Sequence, residues 1–424
     1  MASKRTAKPR APNAPTISKP GTRSQARAVL VLTQFHAPEP CAAANRVGAL
    51  TAALEEAGYD VDVVTGFANF PDGVLAPSDR ILVRTEQLSA RVRLSRVFTY
   101  ASARISGRSR ILNWLSVACA MTFFTLFTRR RFAIIIVTMP PISLAIPAFA
   151  ALLRHRARLI VDVRDVFPDV AVKMGYWREG SPIVRIVGSI AGALYRRSKL
   201  ILCVTDAARA EIIARGIAPS KVVIAANGFD PIQVAPESPY ARSAGDFVVV
   251  FVGNMGLATG LDTIIDAADL LRDEPRIRFV LAGGGADKDR LSLRVAELRL
   301  DNVVMLGVVT RPAANALVAA ADVSVVPLHA GIVDSLPTKM FDALVLGCPV
   351  VCCANGEARA FIESSGGGIA VAPNDGAALA RALRELLANP GRRGAYAVAG
   401  REFVLNYYDR AKIMREMVAL LPSL

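Results

Sequence analysis

Residues 227–252, NGFDPIQVAPESPYARSAGDFVVVFV, divide the chain in two. Pro231, Pro236 and Pro239, with the small polar residues around them, leave no apolar period before Asp246, and at Phe247 a continuous apolar run begins. A domain boundary falls there. Upstream, short β-branched runs at 28–33, 61–65, 133–138, 158–163, 200–204 and 222–226 each precede a helical pattern, such as Val47, Leu50, Leu54 and Ala57 closed by Gly58. Downstream the alternation resumes at 247–252 and continues at 277–282, 303–307, 323–327, 349–353 and 369–372, with Leu261, Ile264, Ile265, Ala268 and Leu271 as one helix stripe. Strands that are apolar throughout are covered on both faces, so each series reads as a parallel sheet between helix layers. The expected fold is α/β, with two doubly wound domains in tandem at 28–228 and 246–405, a linker at 229–245 and a helix at 406–424 crossing back to the first domain. Ligands of such sheets bind at the carboxyl ends of the strands, so two facing sheets would enclose one cleft.

Length and composition agree with this division: 424 residues, 53% of them hydrophobic, exceed one ordinary core and exclude a wholly disordered chain. The formal charge of +15 is concentrated in two blocks. Residues 1–27 hold Lys4, Arg5, Lys8, Arg10, Lys19, Arg23 and Arg27 and no acid, in a Pro- and Ala-rich context without an apolar core. They read as a disordered basic arm rather than a signal peptide. Residues 80–131 hold eleven Arg against Glu86 alone. Inside that block, 111–127 (ILNWLSVACAMTFFTLF) carries no charge and is flanked by Arg108, Arg110, Arg129, Arg130 and Arg131. Its length is at the lower limit for a span. Spanning would separate strands of one sheet, so a helix lying in a membrane interface, with Trp114 and the flanking Arg at headgroup level, is preferred over a buried or half-buried helix. Six Cys without a CxxC pair and three His suggest neither a zinc site nor a disulfide framework, and fit a reducing cytosol.

Candidate chemistry lies at strand ends and helix starts. After 247–252 comes Gly253-Asn-Met-Gly256, followed by Gly260, a turn whose backbone N–H groups can approach an anion, although glycines after a strand also serve tight turns. Gly283, Gly284 and Gly285 form a second such turn, with Lys288 and Arg290 behind it. The densest pattern is 334–351, DSLPTKMFDALVLGCPVV. Pro337 suits the first turn of a helix, Thr338 and Lys339 fall near the positive end of its dipole, and Asp334 and Asp342 flank them. Lys339 and the helix start would hold a diphosphate while the two carboxylates accept hydrogen bonds from sugar and ribose hydroxyls. Asp60-Val-Asp62 and Asp287-Lys-Asp289 have the spacing of metal ligands, but the first alternates with Val61 and Val63 along a strand and reads as solvent-facing, and the second as a charged turn. No metal site is expected. The turn after the first strand, Gln34-Phe-His-Ala-Pro38, lacks the G-x-G-x-x-G of a nicotinamide enzyme.

In order and spacing over residues 28–415, these motifs resemble the retaining glycosyltransferases of family four in the GT-B class, which face two Rossmann-like domains across a central cleft. The resemblance is strongest to the bacterial polysaccharide-assembly subgroup of WbuB-like enzymes. Asp334-x7-Asp342 stands where the family carries Glu-x7-Glu, Gly253-Asn-Met-Gly256 matches its glycine turn, and Leu336-Pro-Thr-Lys339 matches the subgroup's Pro-Ser-Lys. Ala37-Pro-Glu-Pro40, Ala43-Ala-Asn-Arg46, Val64-Thr-Gly-Phe67, Val163-Arg-Asp-Val-Phe-Pro168 and Asn227-Gly-Phe-Asp230 are similar to the same subgroup.

The resemblance implies transfer of a sugar from a nucleotide-diphosphate donor, UDP-linked by first choice, to a polyprenyl-linked or glycan acceptor, with retention of configuration and without metal or other cofactor. The setting would be exopolysaccharide, capsule or O-antigen synthesis at the inner face of the cell membrane. As catalytic groups it implies Asp165, Arg164, Lys339 and Asp334: Asp334 on the donor sugar hydroxyls, Lys339 on the leaving diphosphate, and Asp165 orienting donor or acceptor where many relatives have His–Asp. Its donor-binding groups are Gly253, Asn254, Gly256, Gly283, Gly284, Arg290, Pro337, Thr338 and Asp342, the last on the ribose. Two departures stand out. Asp for Glu shortens each reach by roughly one methylene, and Thr259 replaces a basic residue common in the family, which leaves Lys339 and the helix starts to neutralise the diphosphate. Arg91, Arg93, Arg96, Arg104, Arg108 and Arg110 are expected to face anionic headgroups. Nucleic acid is not an expected partner, because no aromatic residues interleave with these arginines. Two rival readings are a sugar-nucleotide epimerase, which would act without acceptor, and a non-catalytic GT-B partner subunit, for which the Glu-to-Asp departures speak.

Overall fold

The computed structural model describes residues 27–70, 72–103, 107–256 and 259–423. The basic arm up to residue 26, and Arg104, lie outside the described residues. The six apolar runs of the first half become strands of one sheet, joined by two that the sequence reading did not anticipate. In chain order these are β1 (Ala28–Leu32), β2 (Asp60–Gly66), β3 (Val83–Gln87), β4 (Val92–Val97), β5 (Ile134–Met139), β6 (Arg158–Val163), β7 (Leu200–Cys203) and β8 (Val222–Ile224). They lie in the order β3-β4-β2-β1-β5-β6-β7-β8, and the edge strand β3 runs antiparallel to β4. The crossovers are α1 (Ala42–Glu56), α2 (Gly107–Phe127), α3 (Ala145–His155), α4 (Asp169–Lys173), α5 (Pro182–Arg197) and α6 (Asp206–Ala214).

The second sheet is parallel and contains β9 (Phe247–Val252), β10 (Ile277–Ala282), β11 (Val303–Gly307), β12 (Val323–Pro327), β13 (Val350–Cys353) and β14 (Gly368–Val371), in the order β11-β10-β9-β12-β13-β14. Its helices are α7 (Asp262–Leu270), α8 (Lys288–Glu297), α9 (Arg311–Ala319), α10 (Thr338–Val345), α11 (Gly356–Ser365), α12 (Gly376–Ala388) and α13 (Pro390–Tyr407), and α14 (Arg410–Ala419) follows. The protein is therefore built of two α/β domains with Rossmann-like parallel cores.

Each sheet buries side chains on both faces. In the first, Val117 and Met121 of α2, Ala148 of α3, Leu194 of α5 and Ile212 of α6 cover one side. Val47, Leu50 and Leu54 of α1 share the other side with Met414, Met417 and Val418 of α14. Each fully buried aliphatic side chain contributes about 1.5–3 kcal/mol, which fixes strand register as well as stability. The chain leaves the first domain and returns to it at one point. There the Phe229 N–H donates to the Tyr408 carbonyl (2.9 Å), and Arg410 holds Asp230 at 2.6 and 2.7 Å and the Gly228 carbonyl at 2.8 Å.

The basic block of 80–131 is largely structural, which corrects two expectations. The arginines in and around β3 and β4 turn to acids and carbonyls of β2 and of the loops beside it. Arg91 pairs with Asp60 at 3.2 Å, Arg93 and Arg130 both pair with Asp62, and Arg96 donates to the carbonyls of Ala37 and Gly66. Asp60 and Asp62 are accordingly buried rather than solvent-facing, because paired charge tolerates removal from water. Arg91, Arg93 and Arg96 have internal partners and are not a free surface for headgroups. By length and composition α2 could cross a membrane, but Val117, Ala118, Met121 and Thr125 pack it onto the first core beside α3, so it is a half-buried layer of the domain. Trp114 is also half-buried, and its carbonyl accepts a hydrogen bond from Ser143 (3.2 Å).

Candidate functional site

In the second sheet the strand order reverses between β9 and β12, the position where a doubly wound sheet opens a crevice at its carboxyl edge. The turns leaving β9, β10 and β11 are hydrogen-bonded to one another: Gly253 N–H to the Ala282 carbonyl (3.0 Å), Met255 to Gly284 (2.7 Å) and Gly283 to Gly307 (2.7 Å). Glycine is required here. A Cβ on Gly283 would lie 1.8 Å from the Gly253 carbonyl oxygen, and one on Gly253 would lie 2.9 Å from the Lys339 ammonium. Gly283 and Gly284 thus pack beneath the first turn, Gly253 and Gly256 belong to the turn itself, and Asn254 is exposed on it.

Across the crevice, Pro337 caps α10, one position earlier than the sequence reading put it, and Thr338 and Lys339 open the helix. The Lys339 ammonium sits 4.3 Å from the centre of the Phe251 ring, a cation–π contact. No carboxylate lies within ion-pair distance of it among the described residues. Desolvation lowers its pKa to about 8. One turn on, the Asp342 carboxyl is pushed up by burial, against Arg311 and Arg410 and with Asp230 adding to the rise. It accepts no hydrogen bond among the described residues. Lys339, in the first turn of α10 at the positive end of the helix dipole, and Asp342, one turn on, therefore both keep hydrogen-bonding capacity to spare among the described residues.

Asp334 lies on the loop between β12 and α10 and faces the first domain. Its Oδ2 accepts a hydrogen bond from Lys173 of α4 at 2.9 Å, and its carbonyl accepts one from the Thr205 hydroxyl at 3.2 Å. Burial pulls the Lys173 pKa down, but bonds to Glu211 and Asp334 outweigh it and hold the pKa above its usual value. Asp165 follows β6. It is open to the cleft but walled in by protein, and this desolvation raises its pKa, with Arg164 opposing and the Asp334 charge adding. The charge of Asp334, on the second domain, thus reaches Asp165 of the first. Arg164 donates to the Pro140 carbonyl at 2.8 Å, and burial lowers its pKa. Glu357, at the start of α11, accepts the Ala207 N–H at the start of α6 (2.5 Å).

Lys173, Thr205 and Glu357 are site residues that sequence reasoning missed. Glu357 follows Asn355-Gly356 after a strand, the same strand–glycine–helix pattern read elsewhere, and could have been found by it. Lys173 is a lone cation on a five-residue helix and carries no such signal. Arg290 is brought near but not left free: Asp287 at 2.6 Å and Asp262 at 2.7 and 3.0 Å already meet its charge. It lines a cavity of about 410 Å³ between the domains, with Tyr176 and His329. Among the described residues no three His, Cys, Asp or Glu converge where an ion could sit.

Residues 42–228 match the glycosyl transferase 4-like domain family and residues 238–403 the glycosyl transferases group 1 family, so both halves of the chain are covered. The chain belongs to the GT-B glycosyltransferases. It is 24% identical over 412 residues to the putative colanic acid biosynthesis glycosyl transferase WcaI of Escherichia coli K12, covering 92% of this chain and 98% of that protein. With the putative colanic acid biosynthesis glycosyltransferase WcaL of the same organism the identity is 26% over 237 residues, 54% of this chain and 58% of WcaL. Among solved structures, sucrose-phosphate synthase from Thermosynechococcus elongatus superposes with a TM-score of 0.72 at 19% identity, covering 94% of this chain and 99% of that one. HepE from Anabaena, solved with UDP-glucose, gives 0.66 at 17% identity, covering 94% and 100%. The GT-B fold expected from the motifs is the fold observed, with Lys339 and Asp342 in its second domain and Asp165 in its first.

Proposed function

We propose that this GT-B glycosyltransferase is a retaining enzyme of the WbuB-like polysaccharide-assembly type, moving a sugar from a UDP-linked donor to a polyprenyl-linked or glycan acceptor at the inner face of the cell membrane. The observation that carries the reading is the Lys339 ammonium, desolvated and without a carboxylate partner among the described residues, at the start of a helix and beside a glycine turn. A cation held in this way is unfavourable until an anion arrives. A donor diphosphate supplies that anion, and Asp342 accepts the ribose hydroxyls. Lys173 takes one oxygen of Asp334, and the other remains for a hydroxyl of the sugar. UDP is favoured because the similar fold of HepE was solved with UDP-glucose. The polysaccharide setting is favoured because WcaI is named for colanic acid biosynthesis.

In the reaction, the bond from the anomeric carbon to the diphosphate oxygen breaks and the acceptor oxygen bonds to that carbon on the same face. The acceptor proton passes to the departing phosphate. Negative charge grows on the diphosphate, where Lys339 and the N–H groups opening α10 are already oriented, and such preorganised groups supply several kcal/mol. No step requires a metal. Asp165, at the end of β6, orients the acceptor side, with Arg164 beside it.

A thermal-shift panel of UDP-, GDP- and dTDP-sugars tests the donor. The matching donor at a hundred times its Kd should add about 2.7 kcal/mol of stability, and no shift from any nucleotide sugar sinks the reading. The anomeric configuration of the product, read by NMR, tests retention.

A further inference from the structure

We propose that the outward face of α2 is a membrane-contact surface, on which the first domain lies flat against an anionic bilayer with the acceptor side of its cleft at the lipid. The inference rests on the lipid-linked acceptor proposed above for its purpose, though not for its geometry.

α2 turns Val117, Ala118, Met121 and Thr125 inward. On its opposite side Leu112, Leu115, Phe123 and Leu126 are exposed at helical spacing, while Phe127 and, at the adjoining end of α3, Leu153 are 76% and 83% exposed. A contiguous apolar surface of this kind marks an interaction site. Both ends of the stripe carry arginine: Arg108 and Arg110 at the start, Arg129 and Arg131 just past the end, and Arg156 after α3, all exposed. From residue 87 to residue 161 the sequence contains no acid, so the counter-charge for these arginines must come from outside the segment. A helix that is apolar along its length and cationic at both ends suits a bilayer surface when it lies parallel to it, with the arginines among headgroups and the stripe at the acyl boundary.

Two placements give the surface a direction. Val29 pairs with Ile134, which puts Arg27, where the basic arm attaches, at the sheet edge that also bears Arg129 and Arg131. At the other end, Asn113 accepts from Gln34 (2.9 Å) and donates to Asn69 (3.2 Å), which ties the first turns of α2 to the carboxyl ends of β1 and β2. The apolar stripe thus runs from the cationic edge up to the rim of the cleft, where a lipid-linked acceptor would enter.

Flotation of the full chain with phosphatidylglycerol–phosphatidylcholine vesicles and with pure phosphatidylcholine, at low and high salt, tests this, with the UDP-induced thermal shift measured on the same samples. The protein should float with the anionic vesicles at low salt and about tenfold less with the neutral ones. The double variant Leu115→Asp, Phe123→Asp should lose about tenfold in binding, and Arg129→Glu with Arg131→Glu should lose a similar amount at low salt. Both should keep the thermal shift, and either variant is sufficient should the other fail to fold. The inference is overturned if the unaltered protein does not float at low salt, if the α2 variants float as it does, or if Ile186→Asp with Ile190→Asp on α5 removes binding instead. Flotation without a thermal shift overturns the donor reading and leaves the surface standing.

Discussion

Each domain holds a cation near the carboxyl ends of its strands, and the two are surrounded in opposite ways. Arg46 of α1 is 1% exposed and fully engaged, with Asp162 of β6 accepting at 2.7, 2.9 and 3.1 Å and the Ala226 carbonyl at 3.1 Å. Lys339 lies over an aromatic ring with its pKa lowered to about 8 by desolvation, and has no carboxylate within reach among the described residues. A cation whose partners are all internal serves the fold. One enclosed without a carboxylate costs stability, and under the proposed function the donor diphosphate is what offsets that cost.

The largest test of this contrast is Arg46→Met. It leaves Asp162 buried without its partner and should cost about 3–5 kcal/mol, read by urea or thermal unfolding; unchanged stability would erase the distinction. Lys339→Met should act in reverse. Turnover should fall by about 10²–10³-fold, while the unliganded protein gains on the order of 1 kcal/mol. A variant that lost both activity and stability would place Lys339 with Arg46.

The pH dependence sharpens the contrast further. A diphosphate favours the charged ammonium, so donor affinity should be complete below pH 8 and fall as the pH rises through it, by at most about tenfold per unit. The folded pKa lies below the ordinary lysine value of 10.5, so the same group should make the unliganded protein more stable as the pH climbs from about 8 toward 10.5. Donor titrations and thermal unfolding across that range check both signs, and Lys339→Met should flatten both. The smallest effect belongs to Lys173→Ala. Its bond to Asp334 is part-exposed and worth about 0.2–1 kcal/mol, so the donor KM should rise up to about fivefold at nearly constant kcat, with Lys173→Arg restoring it.

Most strands of both sheets are legible in the sequence because their apolar runs are long and broken at most by a single charge, as in FVVVFV at Phe247–Val252 and RLIVDV at Arg158–Val163. β3 and β4 are not, because VRTEQ and VRLSRV interleave charge with apolar residues and show no clean period. Asp60 and Asp62 look solvent-facing for the same reason: what buries them is Arg93 from the next strand and Arg130 after α2, and local alternation does not reveal such partners. Within the site, Lys339, Asp342 and the glycine turn are legible because each lies at a strand end or a helix start. The Lys173–Asp334 bond joins residues 161 positions apart and depends on how the domains face each other, which no local pattern records.

The placement of α14 has a consequence for how the molecule is made. Met414, Met417 and Val418 fill the same buried cluster as Val29, Val47 and Leu54, so the domain translated first lacks part of its interior until the other has been synthesised. Emerging from the ribosome, it leaves uncovered throughout that interval the apolar surface that α14 later fills, so loss of the last helix by truncation should weaken the domain farthest from it in sequence.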